Sequence, residues 1–399
     1  MEKSKLPIMV NISFLYLIAW CISPPLSVGT FFRVVAIAAS LYLFGWFVYH
    51  NKQGVNGLVL ISLVIIAIVV MVCLITYQNI LSQFQFFIFL FFIILFTLYQ
   101  DSDCIEIDLS YIITFAMLLY IVWNVTSIIG LSIIPNAMRL LAKSNDETNE
   151  LLRIGIGGFG YLYSLLIMFP VGLSIFMNKT CRQINRMIAL VFLISTVWLV
   201  FISQYFLSML LIFFVPVIMV IFRIRNTAIR ILLIILIVFF IILIFINAAE
   251  IINFLRSINP ARSIDEKLKS MYEMLYSGVS VNNSEFAVRY ERYQKSFLTI
   301  LTHPVFGSWN VSETGHHSFW LDFFAQFGIP VGSLLIYLFG KPFRSANMFK
   351  STVVKTSFLI LVIMLFLNQI ALVFGTVMFL IIPINYYNNR VKGKLVTNE

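Results

Sequence analysis

The chain has 399 residues, of which 61% are hydrophobic and 11% are charged, and its mean hydropathy is +0.97. Soluble domains are about 45–50% apolar and about 25% charged, and 40 phenylalanines are too many for one soluble core. The composition therefore excludes a soluble protein and predicts an all-α polytopic integral membrane protein. The net charge of +10 is explained below by membrane topology, so no nucleic-acid partner is expected.

Ten apolar segments have a length that crosses a bilayer once, about 17–25 residues. In chain order they are 7–25, 31–49, 57–76, 83–99, 109–132, 156–177, 187–202, 206–222, 231–248 and 317–340. The segment 357–388 is too long for one crossing, and Asn368-Gln369 interrupts it, which predicts two short helices joined by a tight turn. The sequence thus predicts about twelve transmembrane helices, or eleven if one is re-entrant, in a single membrane domain over 1–399.

The basic residues predict the orientation, because short cytoplasmic loops collect Lys and Arg. Alternate loops and both ends of the chain are basic, except for the loop at 100–108, which is acidic and has no basic residue. This pattern predicts that both termini lie in the cytoplasm. On this topology two segments face outward: a loop at 133–155 and a large loop at 249–316. The large loop carries two helical patterns, an amphipathic one at 262–276 that suits a membrane interface and a second one that ends at Pro304.

The second pattern places two arginines one turn apart. Apolar residues recur at helical spacing from Phe286 to Ile300, and Arg289 and Arg292 lie together on the polar side, with His303 further along. Two guanidinium groups in this arrangement suit a phosphate or diphosphate. A solvated helix face would give the same pattern.

Three of the four histidines lie within 303–317, at the start of the apolar segment 317–340. His316 and His317 precede this segment, and Asp322 and Gln326 follow His317 on one face of the predicted helix. A carboxylate in a membrane span marks a functional cavity, or it forms a structural hydrogen bond to a neighbouring helix. A histidine near pKa 6.5 can take a proton from a hydroxyl group, although interfacial anchoring is the alternative.

The stretch RIGIGGFG at 153–160 matches the spacing GxGxxG. A dinucleotide site would need a preceding strand and a βαβ unit, and here a polar loop precedes a membrane span. We therefore interpret it as Arg153 beside a flexible turn, where the backbone N–H groups of Gly155 and Gly157 would meet an anionic ligand. The cysteines lack metal-ligand or CxxC spacing, so neither a metal nor a cofactor is expected.

These motifs together resemble the O-antigen polymerase and ligase superfamily of bacterial envelope enzymes. Members have an arginine in the large periplasmic loop, an NP-x-x-G turn, His-Asn or His-Ser at the start of the next span, and a glycine about ten residues later. Arg289, the turn 303–307, His317-Ser318 and Gly328 occupy these places. Arg153 matches the second arginine of the family. The pair His-Ser is more typical of repeat-unit polymerases, and it favours His317 over His316 as the functional histidine.

The resemblance implies a metal-independent glycosyltransferase of the bacterial cytoplasmic membrane. The donor would be a glycan on undecaprenyl diphosphate, and the acceptor a second lipid-linked oligosaccharide. Arg153, Arg289 and Arg292 would hold the diphosphate, and His317 would act on the acceptor hydroxyl. A chain-length regulator and a flippase are further partners that the resemblance allows. The alternatives are a ligase that moves the finished polymer onto another acceptor, and a flippase for lipid-linked sugars, for which the expected internal repeats are absent.

Overall fold

The computed structural model describes residues 7–50, 56–78, 83–101, 110–135, 137–141, 146–203, 205–224, 226–257, 265, 269, 272, 285–369 and 371–387. These residues form helices and connecting turns, and no strand occurs among them. The helices up to the large loop are α1 (Ile8–Ile22), α2 (Pro24–Val28), α3 (Thr30–Tyr49), α4 (Gly57–Ile75), α5 (Phe84–Asp101), α6 (Ser110–Ile133), α7 (Ala137–Leu141), α8 (Asp146–Arg153), α9 (Phe159–Met177), α10 (Gln183–Ser203), α11 (Phe206–Arg223), α12 (Thr227–Ile246) and α13 (Ala248–Ser257).

The later helices carry the motifs of the sequence. They are α14 (Glu285–Thr302), α15 (Phe319–Ser345), α16 (Thr352–Leu367) and α17 (Leu372–Thr376), and α17 continues through a π-helical turn at Val377–Ile381. The helix predicted to end before Pro304 is confirmed as α14. The break predicted at Asn368-Gln369 is confirmed too, because α16 ends at Leu367. The amphipathic helix predicted at 262–276 lies mostly outside the described residues.

Six of the described helices are long and apolar enough to cross a membrane: α3, α4, Tyr111–Ile133 within α6, α9, α10 and α15. Five shorter apolar helices of 10–17 residues accompany them. The all-helical, polytopic character predicted from composition is therefore confirmed in this coarser form.

The chain divides into two compact units. The first comprises 1–203, 333–364 and 370–399. Its described core contains a cluster of aromatic rings in which Phe89 stacks on Phe339 with ring centroids 4.8 Å apart, and Phe379 meets Phe89 edge to face. A buried polar network joins α6, α9 and α10. Tyr161 donates to the Asn124 side chain over 2.8 Å, and Asn124 donates to Ser195 over 3.0 Å.

The second unit comprises 204–332 and 365–369. Its described part includes α11 to α14, the connection 303–318, the first part of α15 and the turn after α16. Three of the four histidines of the chain lie in this unit.

Candidate functional site

The candidate site lies where the polar face of α14 meets the connection 303–318. Ser296 and Thr299, on that polar face, are buried, and Thr299 donates to the carbonyl of Glu313 over 2.9 Å. The ammonium group of Lys295 donates to the Ser312 carbonyl over 2.6 Å. The helix thus holds the chain just before Gly315 through its polar side chains.

Gly315 and His316 form a turn with little space. A Cβ atom on Gly315 would overlap the backbone carbonyl of Arg292, so only glycine allows the turn to approach α14 this closely. His316 has φ 55°, a left-handed conformation, and its side chain is exposed. The turn leaves His317 directly before α15, and Ser318 caps that helix by accepting a hydrogen bond from the Leu321 N–H over 3.3 Å.

Asp322, in the first turn of α15, joins three segments of the second unit. Its carboxylate accepts hydrogen bonds from the Ser296 hydroxyl at 2.5 Å, the Gly315 N–H at 3.2 Å and the His317 N–H at 2.9 Å. It also accepts one from the Gln369 amide at 2.5 Å. Hydrogen bonds to a charged acceptor are the stronger ones. Asp322 therefore fixes the main chain of His317, whereas its imidazole ring is held in another way.

The imidazole of His317 is half-buried and packs edge to face on Tyr293, with ring centroids 5.5 Å apart. Its Nε2 atom is buried, and no group among the described residues forms a hydrogen bond with it. The pKa of His317 is lowered to about 4, first by burial, then by the positive charges of Arg289 and Arg292, while Asp322 acts in the opposite direction. At neutral pH the ring is therefore uncharged and has a nitrogen without a partner.

Arg289 and Arg292 are both exposed on the face of α14 that carries Ser296. Their positive charges act on His317. An anion bound by these guanidinium groups would offset that effect and raise the pKa of His317 again. The site can therefore couple the binding of an anion to the basicity of a histidine.

The motif HPVFGSW at 303–309 closes a break in α15 at Gly328, which has φ 82°. The N–H groups of Ser308 and Trp309 donate to the carbonyls of Ala325 and Gln326 over 2.9 and 3.1 Å. The Ile329 N–H donates to the Pro304 carbonyl over 2.8 Å. Backbone groups that the break would leave unpaired are thus satisfied by the motif.

Two glycines make this close approach possible. Gly307 has φ 72°, and a Cβ atom there would overlap the Gln326 carbonyl. A Cβ atom on Gly328 would overlap the Val305 carbonyl. Gly307 and Gly328 are therefore required for the same reason: the backbone of each packs against the segment that contains the other.

The remaining predicted residues of this unit have different surroundings. His303 follows α14 and is exposed, with Nδ1 3.0 Å from the Thr302 hydroxyl. Gln326 is buried one turn beyond Asp322, at the break in α15. The structure brings Arg289, Arg292, His317 and Asp322 together, whereas His303 lies at the far end of α14.

Arg153, Gly155 and Gly157 lie in the first unit. Arg153 is exposed at the end of α8. The turn after it is a helix cap in which the Ile156 N–H donates to the Leu151 carbonyl and the Gly155 N–H to the Leu152 carbonyl, both over 3.0 Å. The Gly157 N–H donates to the Ser127 hydroxyl over 3.0 Å. The N–H groups of both glycines therefore have partners within the chain.

Four residues of the site were not singled out as functional from the sequence. Tyr293 supports the imidazole and donates to the Leu367 carbonyl over 3.2 Å, and Ser296 and Gln369 bind Asp322. Asn368 is 8% exposed; its carbonyl accepts from the Phe319 N–H over 3.1 Å, and its buried side-chain nitrogen has no hydrogen-bond partner among the described residues. The interruption of an apolar segment by Asn-Gln was the sequence signal that could have identified Asn368 and Gln369.

No protein-family model and no curated protein sequence matches this chain. Within the described part of the chain, no three His, Cys, Asp or Glu side chains form a group that could hold a metal ion.

Proposed function

We propose that the chain is a repeat-unit polymerase of the O-antigen polymerase and ligase type, acting on lipid-linked oligosaccharides at the outer face of the bacterial cytoplasmic membrane. The observation that carries this proposal is the uncharged His317. Its buried Nε2 has no hydrogen-bond partner among the described residues, and the charges of Arg289 and Arg292 lower its pKa. A hydroxyl acceptor beside a diphosphate donor supplies both groups that this arrangement suits.

In the proposed reaction an acceptor sugar hydroxyl attacks the anomeric carbon of the donor glycan. The new glycosidic bond forms, the bond from that carbon to the diphosphate oxygen breaks, and the hydroxyl proton passes to His317. Arg289 and Arg292 bind the diphosphate and offset the negative charge that develops on it. The resemblance adds Arg153 as a further diphosphate-binding residue.

The two halves of the site act together in this mechanism. A histidine with a pKa of about 4 is a weak base at neutral pH. When the diphosphate neutralises the arginines, their part of the lowering is removed and the pKa of His317 rises, although burial, the largest cause, still holds it below its ordinary value. A higher pKa makes the imidazole a stronger base. Donor binding therefore prepares the base for the acceptor.

The proposal includes the topology predicted from the sequence: about twelve spans, cytoplasmic termini, and the segment 249–316 outside. This topology places the histidines and arginines of the second unit on the side where lipid-linked acceptors would be presented. Asp322 is an acidic residue of the site. Its carboxylate already accepts four hydrogen bonds, so its role in the proposal is to hold the connection 303–318 in place.

The test is the glycan pattern of a strain from which this gene is deleted, compared with the same strain carrying the gene again. A polymerase predicts loss of the ladder of polymer lengths, with single repeat units remaining. Long polymer that stays on the carrier lipid would instead identify a ligase. Accumulation of unpolymerised lipid-linked units on the cytoplasmic face would identify a flippase and contradict the proposed roles of His317 and the arginines.

A further inference from the structure

The outward surface of α14 carries more large apolar side chains than a helix in water usually exposes. Ser296 and Thr299 are buried, whereas large apolar side chains point away from the described neighbours, beside the exposed polar residues Glu291, Gln294 and Lys295. We define the outer apolar face as Tyr290, Phe297, Leu298, Leu301, Val305 and Phe306, which are between 51% and 73% exposed. A helix of a soluble protein buries its apolar face, and exposed patches of this kind mark contact with a membrane or a protein.

The hydrogen bonds along 292–329 define a hairpin beside α15. At its upper end the turn at Gly315 meets Ser296 and Asp322. At its other end Pro304 bonds to Ile329, and Ser308 and Trp309 bond to the carbonyls at the break in α15. The chain therefore runs along α15 from the level of Asp322 to the level of Ile329, turns at 304–309, and returns to His317.

The length of α15 gives the depth of this turn. The helix is a candidate membrane span of 27 residues that is broken at Gly328. The part after the break, from Ile329 to Ser345, has 17 residues and is about 25 Å long at 1.5 Å per residue. The hydrocarbon layer is about 30 Å thick, so even if this whole part lay inside the layer, Ile329 would still lie about 5 Å from the edge on the side of Phe319.

We propose that α14 and the connection 303–317 form a re-entrant hairpin whose outer apolar face contacts the acyl chains of the bilayer. The exposed side chain of Ile329 continues the same apolar surface on α15. Irregular backbone at membrane depth is stable only when its polar groups are paired within the protein, which the bonds between 304–309 and the break in α15 provide. The proposal is independent of the reaction that the site performs.

Arg289 and Arg292 belong to the upper part of α14, near the level of Gly315 and Asp322, and lie on the face that carries Ser296 rather than on the outer apolar face. Toward the turn, the outer apolar face presents Phe297, Leu298 and Leu301. The depth of the turn and the continuity of this face with Ile329 identify the acyl chains of lipid as its occupant.

Nitroxide spin labels on single cysteines test the proposal in the full-length protein. The native cysteines are replaced by serine or alanine, and the protein is reconstituted in vesicles of phosphatidylcholine and phosphatidylglycerol. The labelled variants are Phe306→Cys at the turn and Leu301→Cys on α14. The matched control is His303→Cys, because His303 is also exposed but lies about 160° around the helix from Leu301.

Power saturation with oxygen, which concentrates in lipid, and with a nickel chelate, which stays in water, gives the environment of each label. We expect the ratio of oxygen to nickel accessibility to be several-fold higher at Phe306 and Leu301 than at His303. Nickel-accessible labels at Phe306 and Leu301 would overturn the proposal, because the face would lie in water. Labels inaccessible to both reagents would also overturn it, because another protein surface, such as a second copy of the chain, would cover the face. Equal ratios at all three positions would overturn it as well. Val305→Cys replaces Phe306→Cys if that variant does not fold.

Discussion

Two loops of this chain combine an arginine with glycines ahead of an apolar helix, and they differ in what they leave unpaired. In the first unit, the turn after Arg153 closes on itself and on Ser127, so that the N–H groups of Gly155, Ile156 and Gly157 all have partners. In the second unit, the Nε2 atom of His317, before α15, and the side-chain nitrogen of Asn368, after α16, are buried and have no hydrogen-bond partner among the described residues. Buried polar atoms rarely lack a hydrogen-bond partner.

The comparison separates glycines that shape a turn from residues that await a ligand. A buried nitrogen without a partner costs about 1–3 kcal/mol, and a chain retains such a cost where a ligand or reaction compensates for it. We therefore assign Gly155 and Gly157 a structural role, and we place the chemistry at His317. Three substitutions test this difference.

The largest effect is expected from His317→Ala. Loss of a general base lowers the rate by about 10²–10⁴-fold, and the protein should still fold, because the imidazole Nε2 makes no hydrogen bond to the described residues. Polymer formed per amount of membrane protein is the measurement. The matched control is His316→Asn, since Asn tolerates the left-handed φ of 55°. Equal loss in the two variants would contradict the assignment of the base to His317.

The next effect concerns the break in α15. Gly328→Ala places a Cβ on a residue with φ 82° and against the Val305 carbonyl, so we expect a loss of about 1–3 kcal/mol or more in stability. The midpoint of thermal unfolding in detergent is the measurement. Gly340→Ala, in the same helix, meets no atom within 4 Å and should be neutral or stabilising by up to about 1 kcal/mol. Similar behaviour of the two variants would contradict the packing described for Gly328.

The smallest effect is expected in the first unit. Ser127→Ala leaves the N–H of Gly157 without its partner, which costs about 1–3 kcal/mol of stability. Activity per folded molecule should stay unchanged, because the turn has a structural role. Ser132→Ala is the control, since its exposed hydroxyl bonds only to the Ile128 carbonyl of its own helix. A fall in activity without a fall in stability would mean that this turn also belongs to a functional site.

Much of the local structure follows from the sequence. Apolar length and helical period predicted α14, the helices on the apolar segments and the break at Asn368-Gln369, because these depend on short-range patterns. The motif residues Gly307 and Gly328 were also visible in the sequence. Their shared physical reason was not visible, since it requires a contact between segments 21 residues apart.

The arrangement of the site needed the structure. The sequence placed His317 and Asp322 on one face of a predicted helix, but it did not show that the carboxylate binds the N–H groups of Gly315 and His317. The partner Gln369 is 47 residues away from Asp322. Periodicity also showed that α14 has two faces, without showing that Ser296 and Thr299 on the polar face are buried, because that depends on which surface the helix meets.

The most direct test of the account is the pKa of His317 with and without a diphosphate lipid. The chain has only four histidines, so carbon-13 labelling of their rings gives four signals in nanodiscs, and His317→Gln assigns the relevant one. We predict a pKa of about 4 in the free protein and a higher pKa when undecaprenyl diphosphate binds and offsets the charges of Arg289 and Arg292. Arg289→Gln should raise the pKa of the free protein and reduce the shift on binding.

The direction in which activity changes with pH follows from the same change in the pKa of His317. The reaction requires the neutral ring, so activity falls as the pH drops through the pKa of the complex. The acid limb of kcat should therefore lie at higher pH than that of kcat/KM. A pKa near 6.5 in the free protein that does not change with undecaprenyl diphosphate would contradict the coupling between the arginines and His317.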